Sequence, residues 1–344
     1  MNCKSEFKRL FRDAFTETQG WLDRFADTVY RDEDFVYAES DDRIVSGLLL
    51  TPYDMRVQTA VVQLGYISCV ATLREYRGRG LMHQLMPRAL NVAAERGMAL
   101  CGLIPASDHL YFLYDRFGFA TVCYIEEQRY TSLHRFGTGD GFMPVEPNYE
   151  MFARLQGATV CGVLHNREQY RQVTEDMAAE GGRVLAVEGP DGSCAMAFVT
   201  IGKEATVKYL PATDGRAAEA ALGLVRDAAG ELPVIVWAAP GDRRQALRSR
   251  GMMRVTDAAA VLGALAAERP DTEQLVRVRD PLIAANNAVF SLHAGECERV
   301  EHTLRRITLD VDVQVLTSIV MSAARIGDVF GLPTARPMMP LMLD

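Results

Sequence analysis

The chain has 344 residues, of which 49% are hydrophobic and 24% are charged, and its formal net charge is −8. This length allows two or three domains, and this balance is typical of a soluble globular protein rather than a disordered one. The negative charge argues against general nucleic-acid binding, which needs a basic face.

The cysteines and histidines form no pattern that indicates a metal site or a disulfide framework. The seven cysteines include no C-x-x-C pair, and the six histidines never stand four residues apart with a carboxylate between them. The first residues are charged rather than apolar, and no window approaches the ~20 apolar residues that a membrane span needs. We therefore expect a cytoplasmic chain with reduced thiols, no metal and no membrane segment.

The first predicted elements mix helices with antiparallel strands. Apolar residues between 5 and 30 recur at helical spacing, with a break near Gly20. Strand-like runs on both sides of the polar residues 39–42 predict a hairpin, and residues 57–72 predict another. The elements that follow are a helix after Gly80, a buried strand at 98–104, a helix at 107–117 and a strand from Phe119. This order predicts an α+β (mixed α/β) fold.

The rest of the chain suggests two more domains. Residues 136–147 contain several glycines and prolines and read as a linker. The elements after it repeat the earlier order loosely: helices at 149–155 and 167–179, a hairpin at 184–201, a helix at 216–230 and a strand at 234–237. Further on, the alternating run Ile307–Val313 predicts a strand, followed by a helix over 314–326. We therefore predict domains at 1–140, 141–252 and 253–344.

A glycine-containing turn lies between the predicted strand 65–72 and the helix after it. In Arg77-Gly78-Arg79-Gly80 the glycines let the backbone turn tightly and bring N–H groups against a phosphate. The following helix starts with unpaired donors and the positive end of its dipole, and the two arginines can donate bidentate hydrogen bonds. Such a turn is also common without a ligand, so this motif alone is ambiguous.

A second motif, Tyr114-Asp115-Arg116-Phe117-Gly118-Phe119, reads as a helix end. Gly118 suits a left-handed cap, and both phenylalanines suit the core. The phenol of Tyr114 could instead face a site.

Together with the strand Gly65–Thr72, these motifs resemble the GCN5-related N-acetyltransferase (GNAT) superfamily. Tyr76–Leu81 looks like its pyrophosphate loop, although Met82 departs from the small residue usual there. The run Y-x-x-F-G-F looks like its later motif, whose tyrosine protonates the departing coenzyme A. The resemblance covers roughly the first 125 residues.

The resemblance implies an acetyl-CoA site and a mechanism. The residues that it assigns to coenzyme A are Cys69, Val70, Ala71, Arg77, Gly78, Arg79, Gly80, Leu81 and Met82. A backbone amide in Cys69–Ala71 could stabilise negative charge on the thioester carbonyl if the strand bulges there. Tyr114 would be the general acid.

The resemblance also places the first helical region beside the acceptor. Trp21, Asp23 and Asp27 could then bind the ammonium group of a small amine substrate. The alternative is that Trp21 belongs to the core and the two carboxylates to a solvated face.

The length and domain order resemble the enhanced-intracellular-survival (Eis) type. That resemblance implies tandem GNAT-like domains, a C-terminal sterol-carrier-protein-like α/β domain, an amine acceptor such as an aminoglycoside, and a homo-oligomer, a hexamer or smaller. It also implies that the C-terminal carboxylate, here on Asp344, reaches the active site as the catalytic base. The tail could instead pack on its own domain, with solvent water or a backbone carbonyl as the base. Two other functions stay open: non-catalytic acyl-CoA binding or sensing, and lipid binding by the C-terminal domain.

Overall fold

The computed structural model describes residues 2–137, 141–241, 247–321 and 336–343. They divide into two compact units. The first unit holds the described residues of 2–122 and 251–321, and the second holds those of 123–250 together with 336–343. The three-domain division stays a prediction.

Helices and strands are interspersed along the described chain, so the fold is mixed α/β as predicted. The helices are α1 (Cys3–Ala14), α2 (Gln19–Thr28), α3 (Leu81–Glu95), α4 (Asp108–Asp115), α5 (Tyr149–Gly157), α6 (Arg167–Ala179), α7 (Gly215–Ala229), α8 (Ala258–Glu268) and α9 (Val313–Val320). The strands of the first half are β1 (Phe35–Ser40), β2 (Arg43–Val57), β3 (Ala60–Thr72), β4 (Leu100–Leu103), β5 (Ala120–Tyr130), β6 (Met143–Val145) and β7 (Cys161–Leu164). Those of the second half are β8 (Arg183–Glu188), β9 (Cys194–Ile201), β10 (Ala205–Tyr209), β11 (Val234–Ala238), β12 (Leu247–Val255), β13 (Gln274–Arg279), β14 (Ala288–His293), β15 (Glu296–Val300) and β16 (Leu309–Asp312).

In the first unit, one sheet runs in the order β1-β2-β3-β4-β12. β1, β2 and β3 are antiparallel neighbours, β3 and β4 are parallel, and β4 pairs antiparallel with β12. Successive side chains of β1 take opposite faces, as strand geometry requires. Phe35 contacts Phe7 of α1, while Val36 joins the core that contains α3. Helices therefore cover both faces of this sheet.

The first unit contains a second sheet, in the order β15-β14-β13-β16. β13 pairs antiparallel with β14 and parallel with β16, and α8 contacts β14 and β15. Asp312 ends β16 earlier than predicted, because its side chain caps α9 by accepting from the amide of Val315 at 2.8 Å. The predicted helix residues 322–326 lie outside the described residues.

The second unit repeats the strand and helix order of the first. β8, β9 and β10 are antiparallel neighbours, α7 follows β10, and β11 returns parallel to β10. This is the order of β1, β2, β3, α3 and β4. The repeat that the sequence suggested is therefore present as a repeat of topology.

Two sequence-based boundaries were wrong. The first helical region breaks at residues 15–18 rather than at Gly20, since the Thr18 side chain accepts from the amide of Trp21 and starts α2. Residues 43–72 form two long strands joined at Gln58, whose φ is 56°, instead of a strand and a separate hairpin. Among the described residues, no helix is long and apolar enough to cross a membrane.

Candidate active site

The strand β3 bulges at the residues predicted to face the thioester. Ser68 pairs with Leu49 and Ala71 with Gly47, so Cys69 and Val70 together oppose the single residue Leu48. Cys69 has a φ of 53°, which is rare for a residue with a side chain and marks local strain. A bulge takes a residue out of the ladder, which is the condition that oxyanion stabilisation by this strand requires.

β3 and β4 separate just before this bulge. Their parallel ladder, both strands of which are fully described, covers Leu64–Tyr66 on β3 and ends at the pair Tyr66 and Gly102. β3 continues to Thr72, while β4 stops at Leu103. The backbone of β3 around Cys69 is therefore not covered by β4, so an extended ligand can lie along it.

The turn before α3 has the backbone that a phosphate site needs. Gly78 and Gly80 have φ values of 75° and 76°, and a Cβ added at either would meet nothing within 4 Å. Gly80 is the N-cap residue and has no side chain to satisfy the first amides of α3. The whole stretch Arg77–Gly80 is exposed. The positive end of a 15-residue helix thus faces open space, which fits the diphosphate of coenzyme A.

The two arginines of the turn fold back onto its backbone. Arg77 Nε donates to the carbonyl of Thr72 at 3.0 Å, and Arg79 donates to the carbonyl of Glu75 at 2.8 Å. The Arg79 guanidinium also lies over the ring of Tyr76, 4.7 Å from its centre. Both residues are exposed, so their positive charge is available to an anion that binds at the turn.

Tyr114 lies near the end of α4 and is 7% exposed. Its ring meets Phe119 edge to face, with the ring centres 6.1 Å apart. Burial raises the pKa of Tyr114 to about 12, because the phenolate would lose its hydration. The phenol therefore stays protonated well above neutral pH and remains a hydrogen-bond donor.

One apolar cluster joins the three parts of the site. Tyr114 shares it with Ile67 of β3 and Leu85 of α3, and the side chains of Val70 and Met82 pack against it. The bulge, the start of α3 and the phenol-bearing helix thus surround one core. The sequence motifs, 37 residues apart between Arg77 and Tyr114, meet in one region.

The residues predicted to bind the acceptor sit in a different setting. Trp21 is 8% exposed and stacks on Phe25, with ring centres 4.8 Å apart. Asp23 accepts from Lys8 at 2.8 Å and Asp27 accepts from Lys4 at 2.7 Å. These contacts fit the alternative in which Trp21 is core and both carboxylates belong to an outer face. Acceptor binding by the three residues stays a prediction.

The end of the described tail packs on the second unit. Met338 pairs with Gly162, and the amide of Val163 donates to the Met338 carbonyl at 3.0 Å. Leu341 and Leu343 pack against the core formed by α5, α6, β8 and β9. The described tail therefore belongs to the second unit. Asp344 lies outside the described residues, so its role as base stays a prediction.

The sequence reasoning missed two side chains that hold the turn after Tyr114. Arg254 Nε donates to the carbonyl of Phe117 at 2.7 Å, and Gln314 donates to that of Phe119 at 2.7 Å. No local pattern indicated them, because they lie 137 and 195 residues from their partners. In the described parts of the chain, no group of three or more His, Cys, Asp or Glu side chains is placed to hold a metal ion.

Comparison with known proteins relates the part of the chain that holds this site to a protein family. A family model described as an acetyltransferase (GNAT) domain matches residues 4–122, which include the bulge, the turn and Tyr114. No curated protein matches the sequence.

Several solved structures share the fold at low sequence identity. Eis1 from Mycobacterium abscessus has a TM-score of 0.74 at 18% identity, and the match covers 98% of each chain. A protein of unknown function from Enterococcus faecalis V583, described as a probable N-acyltransferase, has a TM-score of 0.76 at 16% identity, covering 92% of this chain and 86% of that one. A GCN5-related N-acetyltransferase from Kribbella flavida has a TM-score of 0.74 at 19% identity, covering 92% and 85%. The chain therefore carries an acetyltransferase domain of the GNAT family over residues 4–122, and acetyl-CoA is its acyl donor.

Proposed function

We propose that the chain is an N-acetyltransferase that moves the acetyl group of acetyl-CoA to a primary amine of a small cationic acceptor of the aminoglycoside, polyamine or lysine type. The observation that carries the proposal is the start of α3, where the first amides have no side-chain cap and follow two glycines with left-handed φ values. The first turn of α3, the bulged strand β3 and Tyr114 all contribute to one apolar cluster. The acceptor class rests on the resemblance to the Eis type.

The donor is held along its length by residues of the first unit. The amides of Gly80, Leu81 and Met82 bind the diphosphate, with Arg77 and Arg79 beside them. Gly78 keeps the turn open. The stretch Cys69–Ala71 lies along the pantetheine, and an amide of the bulge stabilises charge on the carbonyl oxygen. Acetyl-CoA supplies the thioester, which is the activated form of the acetyl group.

The reaction forms a bond from nitrogen to the acetyl carbon and breaks the bond from that carbon to sulfur. The amine must first be neutral, although a free alkylamine with a pKa near 10 is mostly protonated at pH 7. The amine nitrogen then loses a second proton to the base, and the leaving sulfur gains a proton from Tyr114. Solvent then returns a proton to the Tyr114 phenolate and takes up the proton held by the base.

Two candidates stand for the base. One is the C-terminal carboxylate, on Asp344, and the other is solvent water or a backbone carbonyl. Extending the chain after Asp344 converts this terminal carboxylate into a peptide bond and so separates the two candidates. A large loss of kcat supports the carboxylate, and unchanged kcat supports water or a carbonyl.

The deciding experiment follows thiol release from acetyl-CoA with a panel of aminoglycosides, polyamines and lysine-like amines. Y114F should lower kcat by about 10²-fold or more and leave the Kd of coenzyme A unchanged. Tyr170→Phe is the matched control, since it removes the same atom from α6 of the second unit. Unchanged turnover in Y114F would remove Tyr114 from the mechanism.

Two other results would favour different functions. Binding of coenzyme A without thiol release from any amine would favour an acyl-CoA-binding or sensing protein. An apolar tunnel through the sterol-carrier-like domain that we propose for 253–344 would favour lipid binding. We also propose that the chain works in the cytoplasm as a homo-oligomer, a hexamer or smaller, on the basis of the same resemblance.

A further inference from the structure

The turn that follows Tyr114 is held by two side chains that are far from it in sequence but belong to the same unit. The carbonyl of Tyr114 accepts from the amide of Phe117 at 2.9 Å, so the backbone of Tyr114 is bonded directly to this turn. Arg254 Nε donates to the carbonyl of Phe117, and Gln314 donates to the carbonyl of Phe119, each at 2.7 Å. Gln314 also donates to the carboxylate of Asp115.

The support behind Arg254 is itself rigid. Arg254 and Asp280 form an ion pair of 2.6 Å, and both side chains are 0% exposed. Arg254 also donates to the carbonyl of Val255 at 2.9 Å. Asp280 accepts from the amide of Leu282 at 2.9 Å and from the side chain of Asn286 at 2.9 Å. Because a buried charge with all its partners resists displacement, this network keeps Arg254 in one position.

The turn fits closely against these residues. Gly118 has a φ of 80°, and a Cβ added there would meet Val313 Cγ1 at 3.0 Å and Arg254 Nε at 3.2 Å. The turn therefore leaves no room for a side chain at Gly118.

We propose that Arg254 and Gln314 are positioning residues that hold Tyr114 for proton donation. The segment 251–321 would then be part of the catalytic unit rather than a separate lipid-binding module. This inference rests on the proposed function. Its physical reason is that a proton donor must be held within a fraction of an ångström, and misplacement by about 1 Å can lower a rate by about 10²-fold.

The test uses Gln314 first, because its side chain is only half-buried and its replacement should not unfold the unit. Q314M keeps the length of the side chain and removes the donor. We expect kcat to fall by about tenfold, with unchanged KM for acetyl-CoA and unchanged far-UV circular dichroism. Thr59→Ala is the control, because Thr59 donates to Glu268 and so contacts the same segment away from Tyr114. That variant should keep its kcat.

A double-mutant cycle separates positioning from general support. If Gln314 acts through Tyr114, Q314M should cause no further loss of kcat in a Y114F background. An equal loss in both backgrounds, or no loss in the Q314M single variant, would overturn the proposal. Failure of the proposed function has a different signature, since Y114F alone would then keep full kcat, and the positioning role would fall with it.

R254K extends the test to the buried pair. Lysine keeps the charge opposite Asp280 but cannot donate to two carbonyls in the planar geometry of arginine. We expect a larger loss of kcat than in Q314M, again absent from the Y114F background. If R254K lowers kcat as much in the Y114F background as in the wild type, the buried pair supports the fold only, and its part in the proposal is wrong.

Discussion

Gly80 gives the sharpest test of the phosphate site, because the same helix offers a matched control at its other end. Gly80 precedes α3 with a φ of 76°, and Gly97 follows it with a φ of 73°. Both residues are exposed, and a Cβ at either would meet nothing within 4 Å. G80A and G97A therefore impose the same backbone strain without a steric clash.

The similar backbone of Gly80 and Gly97 sets the expected change of stability and of Kd in each variant. A left-handed residue with a side chain costs about 1–2 kcal/mol, so both variants should lose about that much free energy of unfolding. Only G80A adds a methyl group to the turn whose amides would bind the diphosphate. Loss of one hydrogen bond to a charged group costs about 1.5–3 kcal/mol, which corresponds to about 10- to 100-fold in Kd.

The assay measures two quantities for each variant. Urea unfolding without ligand gives the loss of stability, and calorimetric titration with coenzyme A gives Kd. We expect equal losses of stability and a weaker Kd in G80A alone. Equal changes of Kd in both variants, or none in either, would refute the assignment of the diphosphate to the start of α3.

Three further predictions concern Tyr114, Trp21 and Asp34. Burial raises the pKa of Tyr114 to about 12, so kcat should not fall between about pH 9 and about pH 10.5, where an ordinary phenol ionises. A fall of kcat near pH 10 in the wild type that is absent from Y114F would contradict this. W21A should lower the free energy of unfolding in urea by about 3–5 kcal/mol, because Trp21 stacks on Phe11 and Phe25 in the core; unchanged stability with a raised KM for the amine would instead favour an acceptor site. Burial raises the pKa of Asp34 from 3.8 to about 6 despite the nearby Arg96. The folded state therefore binds this proton more tightly than the unfolded state, which stabilises the fold below about pH 4. This stabilisation is lost as the pH rises through about 6. The stability of the wild type relative to D34N should therefore fall between about pH 4 and about pH 7, by at most about 3 kcal/mol, and a constant difference in urea unfolding would show the pKa shift to be wrong.

Local sequence signals predicted the parts of the site that depend on local chemistry. The helix after Gly80 and the strand before Pro105 were both predicted, because glycine and proline mark their ends and apolar spacing marks their faces. The strand β4 is shorter than the predicted 98–104. The helix predicted near residues 167–179 is α6. Asn166 caps it in a capping box with Gln169, a strong signal at a helix start.

Other features depend on contacts that no short window contains. Residues 44–50 of β2 are all buried, so the strand shows no alternation from which its full length could be predicted. Cys69 adopts a left-handed φ although nothing in its neighbours favours one. Arg254 looks like an ordinary charged residue in a strand, and only its distant partners Asp280 and Phe117 explain its complete burial.

The second unit repeats the topology of the first, but the start of its helix α7 does not suit binding of coenzyme A. α7 occupies the place in the second unit that α3 occupies in the first. Its N-cap is Asp214, whose carboxylate accepts from the amides of Arg216 at 2.8 Å and Ala217 at 2.9 Å. The donors that a phosphate would use are therefore already bonded to a fixed negative charge, which also repels a diphosphate.

We therefore expect calorimetric titration to give one coenzyme A per chain. G80A should weaken that binding event, while D214N, which keeps a capping oxygen and removes the charge, should leave both Kd and stoichiometry unchanged. Two binding events per chain, of which D214N alters one, would show that the second unit retains a cofactor site and that the capping argument is wrong.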